Sequence, residues 1–311
     1  MTYQVGVCGH LLNSNQEGSL VDLGTKYVRL DFNWEEIEPE KGKWNFSEID
    51  RAVSHCLQHK IKIFATLAYT PAWANGGKGR AYPADDVEDW KRFVSIMVGR
   101  FRPYILHWGI WNEPNILDFF TGTVYDYVNE LLIPAYSEIV EVSPHAMIVA
   151  PDLALSQSNW VRWFDVLSNY SAFFDILSFH YYSGTAQKVM DRIRYGGWPK
   201  QLRRFDKILK YFFPSRQSVM NYQSIYKLFK PFWLTEVGWS TAHDYGEGAT
   251  EEYQAKQYQQ MLSILSDDYT LQRVYFYDLK DDVGADSYFG ITNQIDSPKK
   301  AFFVLKEWLE D

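Results

Sequence analysis

Features typical of membrane proteins and of disulfide-stabilised secreted proteins are scarce in this sequence. The 311 residues include only two cysteines, Cys8 and Cys56, so a disulfide framework is not expected. We expect two buried thiols, with a single disulfide between them as the alternative. No apolar run reaches the ~18 residues that span a bilayer, and no basic-then-apolar export signal begins the chain. We therefore expect no membrane partner, and a cytoplasmic protein as the chain stands or a secreted one if a signal was removed.

Concentrated positive charge and linker sequence are also missing. The net charge is −8, from 31 basic and 39 acidic residues, and no basic run is long enough to follow a phosphate backbone. Nucleic acid is therefore not an expected partner, whereas a neutral carbohydrate is compatible with this charge. No Pro/Gly/Ser-rich stretch or charge block marks a boundary, so we expect one domain over residues 1–311. The residues do not predict an oligomeric state.

Aromatic side chains, in contrast, are abundant. They make up 17% of the chain, including 12 Trp and 22 Tyr. Such rings stack well on the faces of pyranose sugars, but many of them must simply pack in the core. The composition is therefore compatible with carbohydrate binding without requiring it.

Short runs rich in β-branched and aromatic residues alternate with amphipathic segments eight times along the chain. This order predicts parallel strands joined by right-handed helical crossovers, and eight such units close into a single (β/α)8 TIM barrel. One helix is expected to begin at Ser47, and the last with Ser297 as N-cap and Pro298 in the first turn. The eight predicted strands are 5–9, 27–34, 61–68, the run 105–115, 147–151, 175–182, 231–236 and 273–278.

The longest connection between predicted strands covers residues 183–230. It contains a basic, aromatic stretch at about 198–213. Such a segment could be a lid over the active-site end of the barrel or an elaboration of the helical layer, and we favour the second interpretation.

Two of the predicted strands end in a glutamate. The apolar run 105–115 ends around Glu113, and the run 231–236 ends at Glu236, followed by Gly238, where the chain can turn. A parallel barrel gathers its strand ends into one pocket, so these two carboxyl groups are expected to face each other. Paired carboxylates across a sugar ring are the machinery of glycoside hydrolysis. Glu113 and Glu236 are therefore the predicted catalytic residues.

Other strand ends carry polar residues that suit the same pocket. Each has a structural alternative: Arg29 could pair with Asp31, His180 could be a hydrogen-bonded core histidine, and Tyr182 could be a packed ring. The joint pattern favours a functional site because one pocket collects all of these positions. These polar residues are Arg29, Asn112, His180, Tyr182, Tyr277, Asp278 and Lys280.

Glycoside hydrolysis with retention of configuration needs a nucleophile and an acid/base, and this requirement suggests roles for several of these residues. Glu236 is expected to be the nucleophile, kept ionised by Arg29 and by a hydrogen bond from Tyr182. Glu113 would be the acid for the leaving oxygen and then the base for water. Asn112 would bind the sugar 2-hydroxyl. His180 could tune Glu113 or contact the sugar.

Five motifs resemble those of the clan A retaining glycoside hydrolases, most closely family 39 and related polysaccharide-cleaving enzymes. They are Trp-Asn-Glu-Pro-Asn at 111–115, Thr-Glu-Val-Gly-Trp at 235–239, His-Tyr-Tyr at 180–182, Val-Arg-Leu-Asp-Phe-Asn-Trp at 28–34 and the following Ile-Glu-Pro-Glu-Lys-Gly-Lys-Trp-Asn-Phe at 37–46. The resemblance covers essentially the whole chain. It implies Glu113 as acid/base, Glu236 as nucleophile, retention of configuration and no cofactor. It also implies Trp73 and Trp239 as substrate-binding residues.

Two departures from the family pattern bear on how a substrate is cut. The chain ends directly after the eighth helix, without the β-sandwich of many monosaccharide-releasing members, and Tyr275 and Tyr277 occupy the strand where many relatives have a tryptophan. Both departures favour cleavage within a polysaccharide or oligosaccharide. The alternatives are an exo-acting β-xylosidase-like enzyme, a transglycosylase with the same glutamates, and a non-catalytic carbohydrate-binding barrel. A metal-dependent hydrolase is disfavoured because the seven histidines show no His-x-His pair.

Overall fold

The computed structural model describes residues 4–10, 12–195, 228, 230–242, 249–266, 271–282 and 288–310. Its strands are β1 (Gln4–Cys8), β2 (Tyr27–Asn33), β3 (Lys62–Ala68), β4 (His107–Ile110), β5 (Met147–Ala154), β6 (Ile176–His180), β7 (Phe232–Val237) and β8 (Arg273–Phe276). Every strand pairs in parallel with its neighbours in sequence, and β8 pairs with β1, so the sheet closes. The predicted (β/α)8 barrel is confirmed.

Helices occupy the connections between the strands. They are α1 (Ser14–Leu23), α2 (Trp34–Ile37), α3 (Ser47–Gln58), α4 (Val87–Phe101), α5 (Val124–Asp126), α6 (Ile133–Val142), α7 (Trp160–Leu167), α8 (Ala186–Tyr195), α9 (Glu251–Ser266) and α10 (Lys300–Glu310). Shorter turns are the 3₁₀ helices Ala72–Ala74 and Ser168–Phe173 and the π-helical stretch Tyr127–Leu132. The α3 helix begins at Ser47, as predicted, and buries Ile49, Val53 and Cys56 against the sheet.

The core has two layers. Inside the barrel, six buried side chains pack on one another: Cys8, Phe64, Val149, Ile176, Trp233 and Tyr275. A larger apolar layer fills the space between the strands and the helices. Both cysteines are free and buried, as expected, and burial raises the pKa of the Cys56 thiol to about 12. A thiol in this environment stays protonated and unreactive.

Strand four is shorter than predicted, so Glu113 lies beyond it rather than at its tip. Pairing of β4 with β3 ends at Ile110, and the next residues turn sharply, with φ of 68° at Trp111 and 42° at Glu113. The cause is the indole of Trp111, which is buried and donates a hydrogen bond to the carbonyl oxygen of Phe119 (2.8 Å). Packing of this ring redirects the chain and makes the Glu113 segment a loop.

The last helix begins later than predicted. Pro298 lies in an extended segment that bridges to Thr292, and the amide of Lys299 donates to the carbonyl of Ile291 (2.8 Å). The Lys299 ammonium is itself buried against Asp281 (2.7 Å). These contacts keep the segment extended, so the helix begins at Lys300 instead of following Ser297.

Most of the long connection between β6 and β7, including the basic, aromatic stretch at 198–213, lies outside the described residues. The lid and helical-layer alternatives are therefore both left as sequence predictions. Among the helices that the structure describes, none combines the length and the apolar character needed to span a bilayer.

Gly238, directly after β7, approaches the backbone of Tyr277, directly after β8, very closely. A Cβ at this position would lie 2.2 Å from the carbonyl oxygen of Tyr277. We expect Gly238→Ala to lower the free energy of unfolding by about 2 kcal/mol or more, because backbone must move to relieve this clash. Urea denaturation measures the change.

Gly18 in α1 provides the matched control, because a Cβ there meets nothing within 4 Å. Gly18→Ala should leave stability unchanged or raise it by up to about 1 kcal/mol through helix propensity. Wild-type stability in Gly238→Ala would contradict the close packing described at this strand end.

Candidate active site

A cavity of about 340 Å³ opens where the carboxyl ends of the strands meet. Residues from β2, the β4 loop, β7 and the segment after β8 line it, so the barrel gathers positions that are far apart in sequence. Its charged and amide-bearing lining residues are His10, Arg29, Asp31, Asn112, Glu113 and Glu236. The cavity is therefore the candidate active site.

Glu236 is held at both of its oxygens. Arg29 donates from Nη1 to Oε1 (2.5 Å), and the hydroxyl of Tyr182 donates to Oε2 (2.5 Å). Glu236 is only 7% exposed, and Arg29, in the middle of β2, is only 2% exposed. A buried carboxylate with a guanidinium on one oxygen and a phenol on the other is fixed in position.

Glu113 has a different environment. It is 8% exposed, and its Oε1 lies 3.0 Å from Nδ1 of His180. Burial raises the pKa of the Glu113 carboxyl above its ordinary value, and the charge of Glu236 adds to the increase, whereas His180 lowers it. The raised pKa favours the protonated form of Glu113, as a proton donor requires.

The two carboxyl groups are close to each other. One oxygen of Glu113, one oxygen of Glu236 and a ring nitrogen of His180 all lie within 4.8 Å of one another. Glycosidases that retain configuration place their carboxyl groups about 5 Å apart, whereas those that invert it leave roughly 6.5–9.5 Å for a water. Oxygens this close together are compatible with the retaining geometry.

His180 lies behind the two glutamates rather than in the cavity wall. It is 1% exposed, and its Nδ1 is also 3.4 Å from Glu236 Oε2. Its Nε2 faces Asp152 Oδ2 at 3.7 Å. Burial alone would lower the pKa of His180, but the charges of Glu236 and Asp152 outweigh it and raise the pKa to about 10. Of the two roles predicted for His180, this position fits contact with Glu113 and does not fit contact with a sugar.

Asn112 and Tyr277 face the cavity, as predicted. The Asn112 carbonyl oxygen accepts from Arg29 Nη2 (2.8 Å), and its amide donates to the Tyr69 hydroxyl (3.3 Å). The second N–H of that amide is left for a ligand. The Tyr277 hydroxyl contacts Nε2 of His10 (3.2 Å), and its ring meets that of Tyr182 edge-on.

Two predicted substrate-binding residues are not brought to the site. Neither Trp73 nor Trp239 is among the described residues that line the cavity. The Trp239 residue is 3% exposed, and its ring packs edge-on against Tyr258 of α9 in the helical layer. The Trp73 indole donates to the carbonyl of Glu38 (2.8 Å) and packs edge-on against Trp34. The prediction that these two tryptophans contact substrate does not fit this structure.

Two further strand-end residues also differ from expectation. The Lys280 ammonium pairs with Asp296 (2.9 Å), outside the cavity lining. Asp278 is buried beside His10, with Oδ2 3.4 Å from Nε2. Both residues thus support the segment after β8 rather than face the cavity.

Further residues lie in the cavity wall or directly behind it that the sequence pattern did not indicate, among them His10, Asp152 and Asn115. His10 follows β1 and is held by Asp31 (Nδ1 to Oδ2, 2.7 Å). Asp152 lies in β5, directly after the predicted strand 147–151, and Asn115 lies in the same motif as Glu113. The rule that selected the other residues, polarity at a strand end, would also have selected His10 and Asp152.

Two groups of described side chains have the donor atoms for a metal ion. They are Glu113 with His180 and Glu236, and His10 with Asp278 and Asp282. In the first group both Glu236 oxygens already accept hydrogen bonds from Arg29 and Tyr182. In both groups the histidine nitrogens face carboxylates, so hydrogen bonding and ion pairing account for the arrangement.

Two glutamates with oxygens within 4.8 Å of each other, at the strand ends of a (β/α)8 barrel, form the kind of site that glycoside hydrolases use. The chain belongs to the glycosyl hydrolases family 39, whose sequence profile matches residues 19–214. This confirms the resemblance found in the sequence.

Individual relatives share the fold at low sequence identity. A β-xylosidase of Geobacillus stearothermophilus is 26% identical over 146 residues, which cover 42% of this chain and 29% of the xylosidase. A family 39 glycoside hydrolase of Bacteroides cellulosilyticus superposes with a TM-score of 0.70 at 20% identity, covering 98% of this chain and 63% of that one. A xylanase of Paenibacillus barcinonensis superposes at 0.66 and 17% identity, covering 97% and 95%.

Asn115 fixes the loop that carries Glu113, which leads to a test. Its side chain donates to the carbonyl of Ala154 (3.0 Å) and accepts from the amide of the same residue (2.9 Å). We expect Asn115→Ala to lower the free energy of unfolding by about 2 kcal/mol or more, because two buried backbone groups lose their partner.

Chemical denaturation measures this change, with Asn169→Ala as the control. Asn169 is an exposed asparagine whose side chain also bonds backbone carbonyls, and its loss should cost less than about 0.5 kcal/mol. Equal stabilities of the two variants would contradict the assigned role of Asn115.

Proposed function

We propose that this protein is a retaining β-glycosidase that hydrolyses O-glycosidic bonds by double displacement. The observation that carries the proposal is the separation of Glu113 and Glu236, whose nearest oxygens lie within 4.8 Å. Carboxyl groups this close together favour direct attack of one of them on the anomeric carbon over attack by a water between them. We also propose that residues 1–311 form one catalytic domain.

Glu236 is the proposed nucleophile. The hydrogen bonds from Arg29 and Tyr182 hold its oxygens in position for attack. As the bond to the anomeric carbon forms, the carboxylate loses its charge. The contacts to Arg29 and Tyr182 then weaken, and they re-form when the glycosyl-enzyme is hydrolysed.

Glu113 is the proposed acid and then base. Its Oε1 faces a ring N–H of His180, so the proton lies on Oε2, the oxygen that can reach the glycosidic bond. The raised pKa keeps this proton in place while Glu236 is charged. Once Glu236 is esterified, its charge is gone, the pKa of Glu113 falls, and the carboxylate can take a proton from water.

Asn112 is the proposed ligand of the sugar 2-hydroxyl. Its carbonyl oxygen is fixed by Arg29, which directs the amide N–H groups into the cavity. Because Arg29 also holds Glu236, the amide and the nucleophile move together as a unit. A hydrogen bond to the 2-hydroxyl strengthens in the transition state and would contribute to rate rather than to substrate affinity alone.

Apolar side chains in the cavity lining support binding of more than one sugar unit. Ile116 and Phe119, on the loop after Glu113, and Tyr277 and Phe289 line the cavity together with the glutamates. Rings and aliphatic groups of this kind pack well on the faces of sugars. We therefore propose an endo-acting enzyme, with exo-action of the β-xylosidase type as the alternative.

Azide rescue tests the two catalytic assignments together. Both Glu236→Ala and Glu113→Ala should lose at least roughly a thousandfold in kcat on a β-glycoside with a good leaving group. Azide should restore turnover in both variants, with opposite products. In Glu236→Ala it replaces the nucleophile and gives the α-glycosyl azide, whereas in Glu113→Ala it attacks the glycosyl-enzyme and gives the β-glycosyl azide.

Each variant is the matched control of the other, and ¹H NMR of the azide products distinguishes the anomers. The same anomer from both variants, or near-wild-type activity in Glu236→Ala, would contradict the assignment. Binding of carbohydrate without turnover in the wild type would favour the non-catalytic barrel.

Product size distinguishes endo-action from exo-action. We expect early digests of a susceptible polysaccharide to contain oligosaccharides rather than monosaccharides, with none in a Glu236→Ala blank. The panel should include xylan, glucan, mannan and bacterial exopolysaccharides, with products sized by mass spectrometry. Monosaccharide alone from the first time point would favour exo-action, and products longer than the substrate would favour transglycosylation.

A further inference from the structure

Asp152 is a buried carboxylate at the centre of the site that the proposed chemistry does not use directly. It lies in β5 and is 1% exposed. Its Oδ1 accepts a hydrogen bond from the Thr235 hydroxyl (2.6 Å), and its backbone amide donates to the Ser178 hydroxyl (3.0 Å). The residue is therefore fixed by the strands on one side of it, while its second oxygen is available to other groups.

That second oxygen faces two cationic side chains. Oδ2 of Asp152 lies 3.6 Å from Nη2 of Arg29 and 3.7 Å from Nε2 of His180. Each of these side chains also contacts one catalytic glutamate: Arg29 bonds Glu236 (2.5 Å), and His180 bonds Glu113 (3.0 Å). The Asp152 carboxylate therefore lies close to the partners of both catalytic glutamates.

The surroundings of His180 favour a positive charge on its ring. Nδ1 lies 3.0 Å from Glu113 Oε1 and 3.4 Å from Glu236 Oε2, and Nε2 lies 3.7 Å from Asp152 Oδ2. The contact with Glu113 is a hydrogen bond, whereas the separation from Asp152 is an ion-pair distance. Carboxyl groups on both sides of a buried ring favour its protonated form.

A buried cation needs a buried counter-charge. Arg29 and His180 bring two positive charges into the barrel, and the nearby carboxylates are Glu236, Asp31 and Asp152. Asp31 lies 4.0 Å from Arg29 and also pairs with His10. Asp152 lies near both Arg29 and Nε2 of His180. Without its negative charge His180 would hold its proton less strongly, whereas Arg29 would stay charged.

We propose that Asp152 is a positioning residue: the shared counter-ion that holds Arg29 against Glu236 and keeps His180 protonated against Glu113. For catalysis this role rests on the proposed function, but the charge of His180 can be tested without it. The cationic His180 lowers the proton affinity of Glu113, which prepares Glu113 to release its proton to the leaving group.

The groups around His180 are contributed by several strands. Glu113 faces it from the β4 loop, Glu236 from β7 and Asp152 from β5, and Arg29 and Asp31 lie near it on β2. Burial lowers the pKa of His180, and the surrounding carboxylates raise it to about 10. Removal of one of these negative charges must therefore lower the pKa of His180.

NMR titration of ¹⁵N-labelled histidine rings tests the proposal without a substrate. The wild type should show His180 with both nitrogens protonated at neutral pH, its signal assigned by its loss in His180→Gln. In Asp152→Asn, where the amide oxygen can still accept from Thr235, the pKa of His180 should fall by about 2 pH units. Thr235→Val removes that hydrogen bond but keeps the charge, and should leave the pKa of His180 near its wild-type value.

A neutral His180 ring in the wild type would overturn the proposal, and this measurement needs no folded Asp152 variant. An unchanged pKa of His180 in folded Asp152→Asn would overturn it equally. Failure of the wild type on every glycoside would count against the proposed function alone, because the titration does not depend on turnover.

With an active substrate, the pH profile of kcat/KM gives the second readout. The descending limb at high pH reports loss of the proton from Glu113. In Asp152→Asn one buried negative charge is lost and His180 holds its proton less strongly, so this limb should move, whereas in Thr235→Val it should stay in place. A merely structural role would lower kcat in Asp152→Asn without moving the limb, and that result would overturn the proposal.

Discussion

The buried ion pair between Arg29 and Glu236 is the interaction on which the rest of the site depends. A guanidinium that is 2% exposed must satisfy its N–H groups within the protein, and Thr66, Asn112 and Glu236 accept them at 3.1, 2.8 and 2.5 Å. Arg29 is one rigid planar group, so it fixes Asn112 and Glu236 relative to each other. Asp152 lies close enough to balance its charge.

The two glutamates are chemically alike, but their surroundings differ. Glu236 accepts hydrogen bonds on both oxygens, which fix its position, whereas burial raises the pKa of Glu113. His180 lies close to both carboxyl groups. Division of acid and nucleophile roles between identical side chains follows from this difference in environment.

The barrel, and the convergence of strand-end residues, could be predicted because both follow from local pattern and from the closure of parallel strands. The end of β4 could not, because it depends on where the Trp111 indole packs, a tertiary contact without a sequence signature. The same limit explains Trp239: a motif indicates where its backbone lies, but not that the ring turns toward Tyr258 in the helical layer. Asp152 was missed for another reason, because the predicted strand stopped one residue short of it.

The stereochemistry of hydrolysis tests the central claim most directly. ¹H NMR of a β-glycoside digest, recorded before the product mutarotates, identifies the anomer that is released first. Because the oxygens of Glu113 and Glu236 lie within 4.8 Å, the account predicts the β-anomer, with net retention of configuration. Initial release of the α-anomer would mean that water attacks directly, and would contradict the role of Glu236 as nucleophile.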